Sequence, residues 1–317
     1  SSPAAAGTFL SRHIDMTDRA IPTTTQRKAP GNSLADLGLI ALFCLIWSSA
    51  FTAAKFALPD CPPLLLLASR FLAAGAILLG LAALAGRLEW PDRRAIWSWA
   101  VLGALNSALY LGLSYAGMRT VSSAFTAVLI SANPLLTALV ASPVLGERLS
   151  PLKLGGLLLG MIGVAIVLRS RLAGGAEDWH GTLLVLGGLV ALVAGTILFK
   201  KLKPDGDLWT GTAIQSLSAG ILLLPVALAT ERIADIRLTP ALIGGWSYLV
   251  IAASIGGYLL WFRLLQTKTA TEASTLHFLM PPLGLAFGWL LFREPVGLID
   301  CLGIVPIAIG IAMVTRG

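Results

Sequence analysis

Charge is scarce in this chain. Asp, Glu, Lys and Arg together make up 12% of 317 residues, about half of what a soluble domain carries. The hydrophobic fraction is 56% and the mean hydropathy +0.83. No soluble core hides that much apolar surface, so a soluble globular body is excluded. Strict alternation of polar and apolar residues is also missing, which excludes an outer-membrane barrel. The cysteines are Cys44, Cys61 and Cys301, an odd number without CxxC spacing. They imply neither a disulfide framework nor a metal site; Cys61 and Cys301 both fall near the outer face and read as two unrelated free thiols, with a bridge between them as the competing reading. No HExxH, GxSxG or P-loop occurs, and the three histidines are isolated. Glycine pairs such as Gly155-Gly156 fall inside apolar runs, where they cannot cradle phosphate. These absences argue against an enzyme, and no metal or cofactor is expected.

What is present is a series of long apolar runs. A helix needs roughly 20 apolar residues to cross a bilayer. Ten stretches qualify, at Leu37–Leu58, Leu64–Ala85, Ile96–Gly117, Ser122–Val144, Leu152–Leu168, Thr182–Leu202, Leu208–Thr230, Ala241–Leu265, Ala273–Phe292 and Leu298–Val314. The loops between them are short and leave no room for a soluble catalytic domain. Residues 1–36 are polar, with Pro22, Pro30 and the run Thr23-Thr24-Thr25, and read as a flexible tail.

Net charge of +7 and a pI of about 9.7 raise the question of nucleic acid. The placement of the charges answers it. With the N-terminus inside, fifteen Lys and Arg fall on the inner side and six on the outer, while Lys55 and Arg70 lie within spans. This is the positive-inside bias. It points to a multi-pass protein of a bacterial inner membrane with both termini in the cytoplasm and the lipid bilayer as its partner, and to no nucleic acid.

The second half of the chain repeats the first. A shift of 147 positions lays Pro134 on Pro281, Glu147 on Glu294, Gly156 on Gly303, Gly163 on Gly310 and Arg169 on Arg316 without a gap. Five spans per half is an odd number, so the halves enter the membrane in opposite orientations. Lys55, ending span 1, and Lys200, ending span 6, then stand on opposite faces. The expected architecture is an all-α polytopic membrane protein of ten transmembrane helices, arranged as two inverted five-helix repeats. The expected boundaries are residues 1–36 for a cytoplasmic tail, 37–170 for the first repeat and 171–317 for the second.

Gly146-Glu147-Arg148-Leu149, following a span that contains Pro134, resembles the EamA-type signature of the drug/metabolite transporter superfamily. The second copy, Phe292-Arg293-Glu294-Pro295, departs at the Gly and the Leu and keeps the Glu. Ile46-Trp47-Ser48-Ser49-Ala50-Phe51 through Lys55, and Tyr110 through Ala116, match as well. The resemblance covers the chain from about Leu37 onward. It implies ten helices around a central cavity lined by spans 1, 3, 4, 6, 8 and 9, and small-molecule cargo. Among the members, the chain looks most like the aromatic-amino-acid exporter branch. The expected activity is export of amino acids, aromatic or otherwise neutral, or of similar small metabolites by facilitative alternating access. A broad-specificity drug or metabolite transporter on the same fold and a ten-span channel are the alternatives. A carrier saturates and shows counterflow, whereas a channel passes current.

Ionisable groups inside a bilayer are costly and mark candidate sites. No Asp or Glu falls in the middle of a span, which argues against proton-coupled export of a cation. Arg70 lies about two turns into span 2 and reads as one side of a structural ion pair, with Asp300 as the candidate partner. His277 is the sharpest candidate, with Ser274 and Pro281 on its helical face; a hydrogen bond to a neighbouring carbonyl is the competing reading. Trp47, Ser48 and Phe51 in span 1, Asn106 and Tyr110 in span 3, Asn133 in span 4, and Tyr258 and Trp261 in span 8 supply aromatic and hydrogen-bonding groups for a cargo with a polar head and an apolar body. Packing between helices is the competing role for each. Pro134 and the pair Pro281-Pro282 occupy equivalent places and read as hinges. Trp90, Trp97, Trp99, Trp179 and Trp209 read as an interfacial belt. Small-residue faces, as at Gly156, Gly160 and Gly163, allow close helix contact, within a monomer or in a weak homodimer.

Overall fold

The computed structural model describes residues 34–86, 88, 90–121, 126, 129–168, 178–293 and 297–317. The side chains of Ala35, Phe51, Phe292, Ile299, Asp300 and Cys301 are not among those described, and most of the tail at 1–36, Glu294 and the start of span 4 also lie outside. Ten apolar helices follow one another among the described residues. They are α1 (Leu34–Ala57), α2 (Pro63–Leu84), α3 (Arg93–Gly117), α4 (Asn133–Leu145), α5 (Pro151–Leu168), α6 (Trp179–Leu202), α7 (Leu208–Thr230), α8 (Pro240–Thr267), α9 (Ala270–Leu291) and α10 (Leu298–Arg316). Seven are long and apolar enough to cross a membrane unaided, and α4, α5 and α10 carry shorter apolar stretches.

Polar residues at the ends set where these helices start. Asp92, Asp178 and Asp207 accept backbone N–H groups of Ala95, Gly181 and Thr210 at the first turns of α3, α6 and α7. Thr269 and Glu272 form a reciprocal capping box at the start of α9. Gly146 ends α4 with φ of 70°, and Arg293 ends α9 with φ of 54°. The left-handed cap suits Gly146 and is strained at Arg293.

The 147-residue shift that aligns the sequence also aligns these elements. Asn133–Leu145 falls on the helical segment Met280–Phe292 of α9, and Gly146 falls on Arg293. Both α3 and α8 contain a widened π turn, at Ala104–Leu109 and Leu249–Gly257. Shifted by 147, the first lies inside the second.

Helices pair across the two halves: α5 with α10, α2 with α7, α3 with α6, and α1 with α8. The α5–α10 contact is glycine on glycine. A Cβ on Gly156 would stand 2.7 Å from the Gly310 carbonyl, and one on Gly310 would stand 2.5 Å from the Gly156 carbonyl. Gly163 and Gly303 meet in the same way, at 2.8 and 2.9 Å. The glycine face of α5 is thus occupied within the chain. The α2–α7 contact is equally reciprocal, with Gly75 against Leu217 and Gly220 against Leu72. Outward-facing side chains such as Ile162, Val190, Ile221, Ile251 and Leu290 are large, apolar and exposed, as a lipid-covered surface requires.

Helix ends gather on two faces. On one, Arg237 bridges to Asp60 at 2.8 Å, and Glu231 accepts the Leu64 and Leu65 N–H groups at the start of α2. On the other, Glu147 accepts from Ala270 N, Thr271 N and Thr271 Oγ1 at the start of α9. Lys200 donates there to the Leu265 and Lys268 carbonyls at the end of α8. The sets α1–α2/α7–α8 and α4/α6/α8/α9 are those that a chain crossing at each helix brings to common faces.

Candidate substrate-binding site

The centre of the bundle is polar where its surface is not. Asn106, Ser107, Gln215, Ser216, Thr196 and Ser254 are all buried there, drawn from α3, α6, α7 and α8. Gln215 Nε2 donates to Ser107 Oγ, Ser107 Oγ to the Tyr258 hydroxyl, and that hydroxyl to the Asn106 carbonyl, at 2.9, 2.9 and 3.0 Å. The π turn of α3 makes this chain possible. The Tyr110 N–H bonds to the Leu105 and Ser107 carbonyls and bypasses Asn106, so the Asn106 carbonyl is available to Tyr258. Single π turns inside helices recur at functional sites for this reason.

Beside this network lies a small cavity of about 30 Å³, lined by Trp47, Ala50, Arg70, Tyr110, Leu111, Tyr115, Ala253 and Tyr258. Arg70 enters it from α2. Its Nε donates to Ser254 Oγ at 3.1 Å, and its guanidinium carbon lies 4.7 Å from the centre of the Phe71 ring. An aromatic wall continues outward from the cavity. Trp47 meets Tyr258 edge-on at 5.2 Å and Phe43 at 5.2 Å, while Trp261 stacks on Phe43 at 5.6 Å.

Of the residues singled out in the sequence, Trp47, Tyr110 and Tyr258 line the cavity. His277 and Trp261 stand behind Trp47. The His277 ring is 5.1 Å from that of Trp261 and 6.3 Å from that of Trp47, and its Nδ1 pairs with the Ser274 carbonyl at 3.1 Å. Its Nε2 is buried without a hydrogen-bond partner among the described residues. The 3₁₀ segment Leu276–Leu279 interrupts the α-helical spacing that would have put Ser274, His277 and Pro281 on one face. Asn106 points away from the cavity, its amide packed over Gly195 of α6. The π turn breaks the four-residue register that would have set it beside Tyr110. Ser48 is buried with its hydroxyl unpaired among the described residues, and Asn133 accepts from Thr137 Oγ1 at 3.1 Å; neither lines the cavity. Phe51 lies in α1 with its side chain outside the described residues.

Pro134 and Pro281 sit in the first turns of new helical segments, after the turn at 131–132 and after the 3₁₀ segment of α9. Spans 4 and 9 are therefore broken at these points rather than kinked in mid-helix, because a proline in the first turn displaces no hydrogen bond. Arg70 faces the cavity, and among the described residues no carboxylate forms an ion pair with it; the side chain of its expected partner Asp300 lies outside the described residues. Trp90, Trp97, Trp179 and Trp209 are exposed near helix ends, but Trp99 is 1% exposed. Gly211 leaves room for its ring, which packs on Phe199 and Phe262. Sequence reasoning missed Tyr115, Ser107, Gln215 and Ser254. Hydroxyl and amide groups in an apolar run were the available signal, and the helical spacing that would have grouped them fails at the π turns.

Ten apolar helices around a polar centre with an internal cavity define a multi-pass membrane protein built for passage of small molecules. The chain belongs to the EamA-like transporter family, whose model matches it twice, over residues 36–169 and 179–316. An uncharacterized transporter of Bacillus subtilis (strain 168), YvbV, is 27% identical, covering 87% of this chain and 90% of its own. The S-adenosylmethionine/S-adenosylhomocysteine transporter of Chlamydia muridarum is 31% identical over 84% and 87%. Protein PecM of Dickeya dadantii is 27% identical over 82% and 85%. A solved crystal structure superimposes with a TM-score of 0.75 at 19% identity, covering 88% of this chain and 95% of the other, which shows the fold. The protein is a membrane transporter and not an enzyme.

Proposed function

We propose that the protein exports amino acids, or metabolites built on an amino acid, by alternating access between two inverted repeats. The observation that carries this is the cavity where the π turns of α3 and α8 meet the aromatic wall of α1. Polar groups there suit a charged head, and Trp47 and Tyr258 suit an apolar or aromatic body. The reading joins two resemblances. The aromatic-amino-acid exporters handle an amino acid with a ring. The Chlamydia relative's named cargoes, S-adenosylmethionine and S-adenosylhomocysteine, are also amino acids that carry one, as adenine.

Inversion is supported by the reciprocal contacts. Gly156 meets Gly310 and Gly163 meets Gly303, and the 147-residue shift equates Gly156 with Gly303 and Gly163 with Gly310. With a shift of 145, Gly75 and Leu72 correspond to Gly220 and Leu217, which are again cross-paired. Equivalent surfaces that pair this way are related by a two-fold axis, here one crossing the helices. Hinge motion is assigned to the breaks before Pro134 and at Pro281-Pro282. Transport is assigned as facilitative, because no Asp or Glu is buried among the described residues. Both termini are placed in the cytoplasm by the positive-inside bias. Counterflow in proteoliposomes loaded with a panel of neutral and aromatic amino acids and S-adenosylhomocysteine tests the reading. Saturable exchange of at least one is expected. Cargo-independent current would instead identify a channel, and absence of exchange with every cargo would sink the assignment.

A further inference from the structure

Arg70 is 5% exposed and has no ion-pair partner among the described residues. Burying a lone charge is among the most expensive things a fold can do, and a guanidinium cannot escape by losing its proton. Two local contacts hold it: Nε to Ser254 Oγ, and the face of Phe71. These fix the plane of the group and leave its two terminal nitrogens without a hydrogen-bond acceptor among the described residues, in the wall of the cavity.

We propose that Arg70 is the docking point for the cargo's carboxylate. This rests on the carrier reading above and names the group that the site reads. Two parallel N–H donors match the two oxygens of a carboxylate. Tyr110, Tyr115 and Tyr258 share the cavity wall with it, and Trp47 supplies the apolar flank opposite. The charge balance favours a carboxylate over a phosphate. Arg70 is the one Lys or Arg buried among the described residues, so it neutralises one negative charge, and a phosphate dianion would leave an uncompensated charge in low dielectric. A cargo that lacks the carboxylate leaves Arg70 bare, and an added ammonium alone would meet a like charge. Amines and amides are therefore rejected even where their apolar bodies fit. Sites built around a buried polar group discriminate strongly against analogues that leave it unpaired.

Competition in counterflow tests this with matched compounds: L-phenylalanine, L-phenylalaninamide, phenethylamine and phenyl phosphate, and L-leucine with L-leucinamide. The acids should compete at least about 30-fold better than their amides, the size expected when one partner of a buried charge pair is removed. In Arg70→Gln the acids should lose about that factor while the amides change little, so the preference collapses. Arg70→Lys should keep part of it. Ser254→Ala removes the Nε partner and should weaken acid competition more than amide competition. Wild-type selectivity alone decides the matter if Arg70 variants do not fold. Equal competition by acids and amides overturns the docking role while leaving the carrier reading intact. Stronger competition by phenyl phosphate than by the acids overturns the carboxylate assignment. Failure of every compound to exchange removes the carrier reading and this inference with it.

Discussion

At the residue scale, the cavity depends on a few side chains with separable jobs. Tyr110 lines the cavity and His277 backs Trp47, so Tyr110→Ala and His277→Ala should each lower exchange by about tenfold, the equivalent of roughly one hydrogen bond in a buried setting. Membrane insertion should be unchanged, as checked by size-exclusion profile and by the amount of protein recovered in the vesicles. Trp47→Ala should alter the ranking of cargoes by side-chain size more than it lowers exchange of the smallest ones. Wild-type kinetics in all three would show that these residues only pack helices. Cys61 offers a pH test outside the membrane. It is a free thiol in the loop between α1 and α2. Burial, helped by the nearby Glu231 carboxylate, pushes its pKa up to about 11. A raised thiol pKa keeps the inert protonated form across the neutral range. Maleimide labelling of Cys61 should therefore be slow at pH 7 and accelerate steadily toward pH 10; fast labelling at pH 7 contradicts this environment.

At the element scale, the important features are a latch, a pair of glycine seams and two π turns. Glu147 satisfies two N–H groups and a hydroxyl at the first turn of α9, so it holds the end of α4 against the start of α9. Glu147→Ala should loosen that end by about 1–2 kcal/mol, the usual cost of a lost helix cap. Cysteine introduced at Ala253 should then label faster from the cytoplasmic side in inside-out vesicles, and Glu147→Gln should lie between. In the seam between α5 and α10, Gly156→Val would drive a methyl group into the Gly310 carbonyl. A loss of about 1–3 kcal/mol or more is expected, read as a lower melting temperature in detergent. The same features mark what was legible beforehand. Ten apolar helices, their order and the equivalence of Pro134 with Pro281 could be read from apolar run length and from repetition. The seam glycines were visible as faces, but not with their partners. The π turns at Ala104–Leu109 and Leu249–Gly257 were not legible, because nothing in Ala-Leu-Asn-Ser-Ala-Leu distinguishes a π turn from an α turn. Once the register slips, Asn106 leaves the cavity and Ser107 enters the polar network. Arg70 was visible as an intramembrane charge, yet its contact with Ser254 of α8 could not be named without knowing how α2 and α8 meet.

At the scale of the whole molecule, the absence of buried carboxylates among the described residues makes a prediction about energy. Exchange should follow the cargo gradient, and a pH-sensitive dye inside proteoliposomes should register no proton flux in step with it. A fixed proton-to-cargo ratio would contradict the facilitative assignment. The seam between α5 and α10 has one more consequence. Gly156 mates with Gly310, the counterpart of Gly163, and Gly163 mates with Gly303, the counterpart of Gly156. On the inverted-repeat reading proposed above, such a surface recognises a reversed copy of itself, and a single half-length chain inserted in both directions would already possess it. The peptide link between the halves then sets their ratio at one to one rather than creating the contact. Residues 1–172 and 173–317 expressed as two separate chains should accordingly reassemble in the membrane and recover exchange.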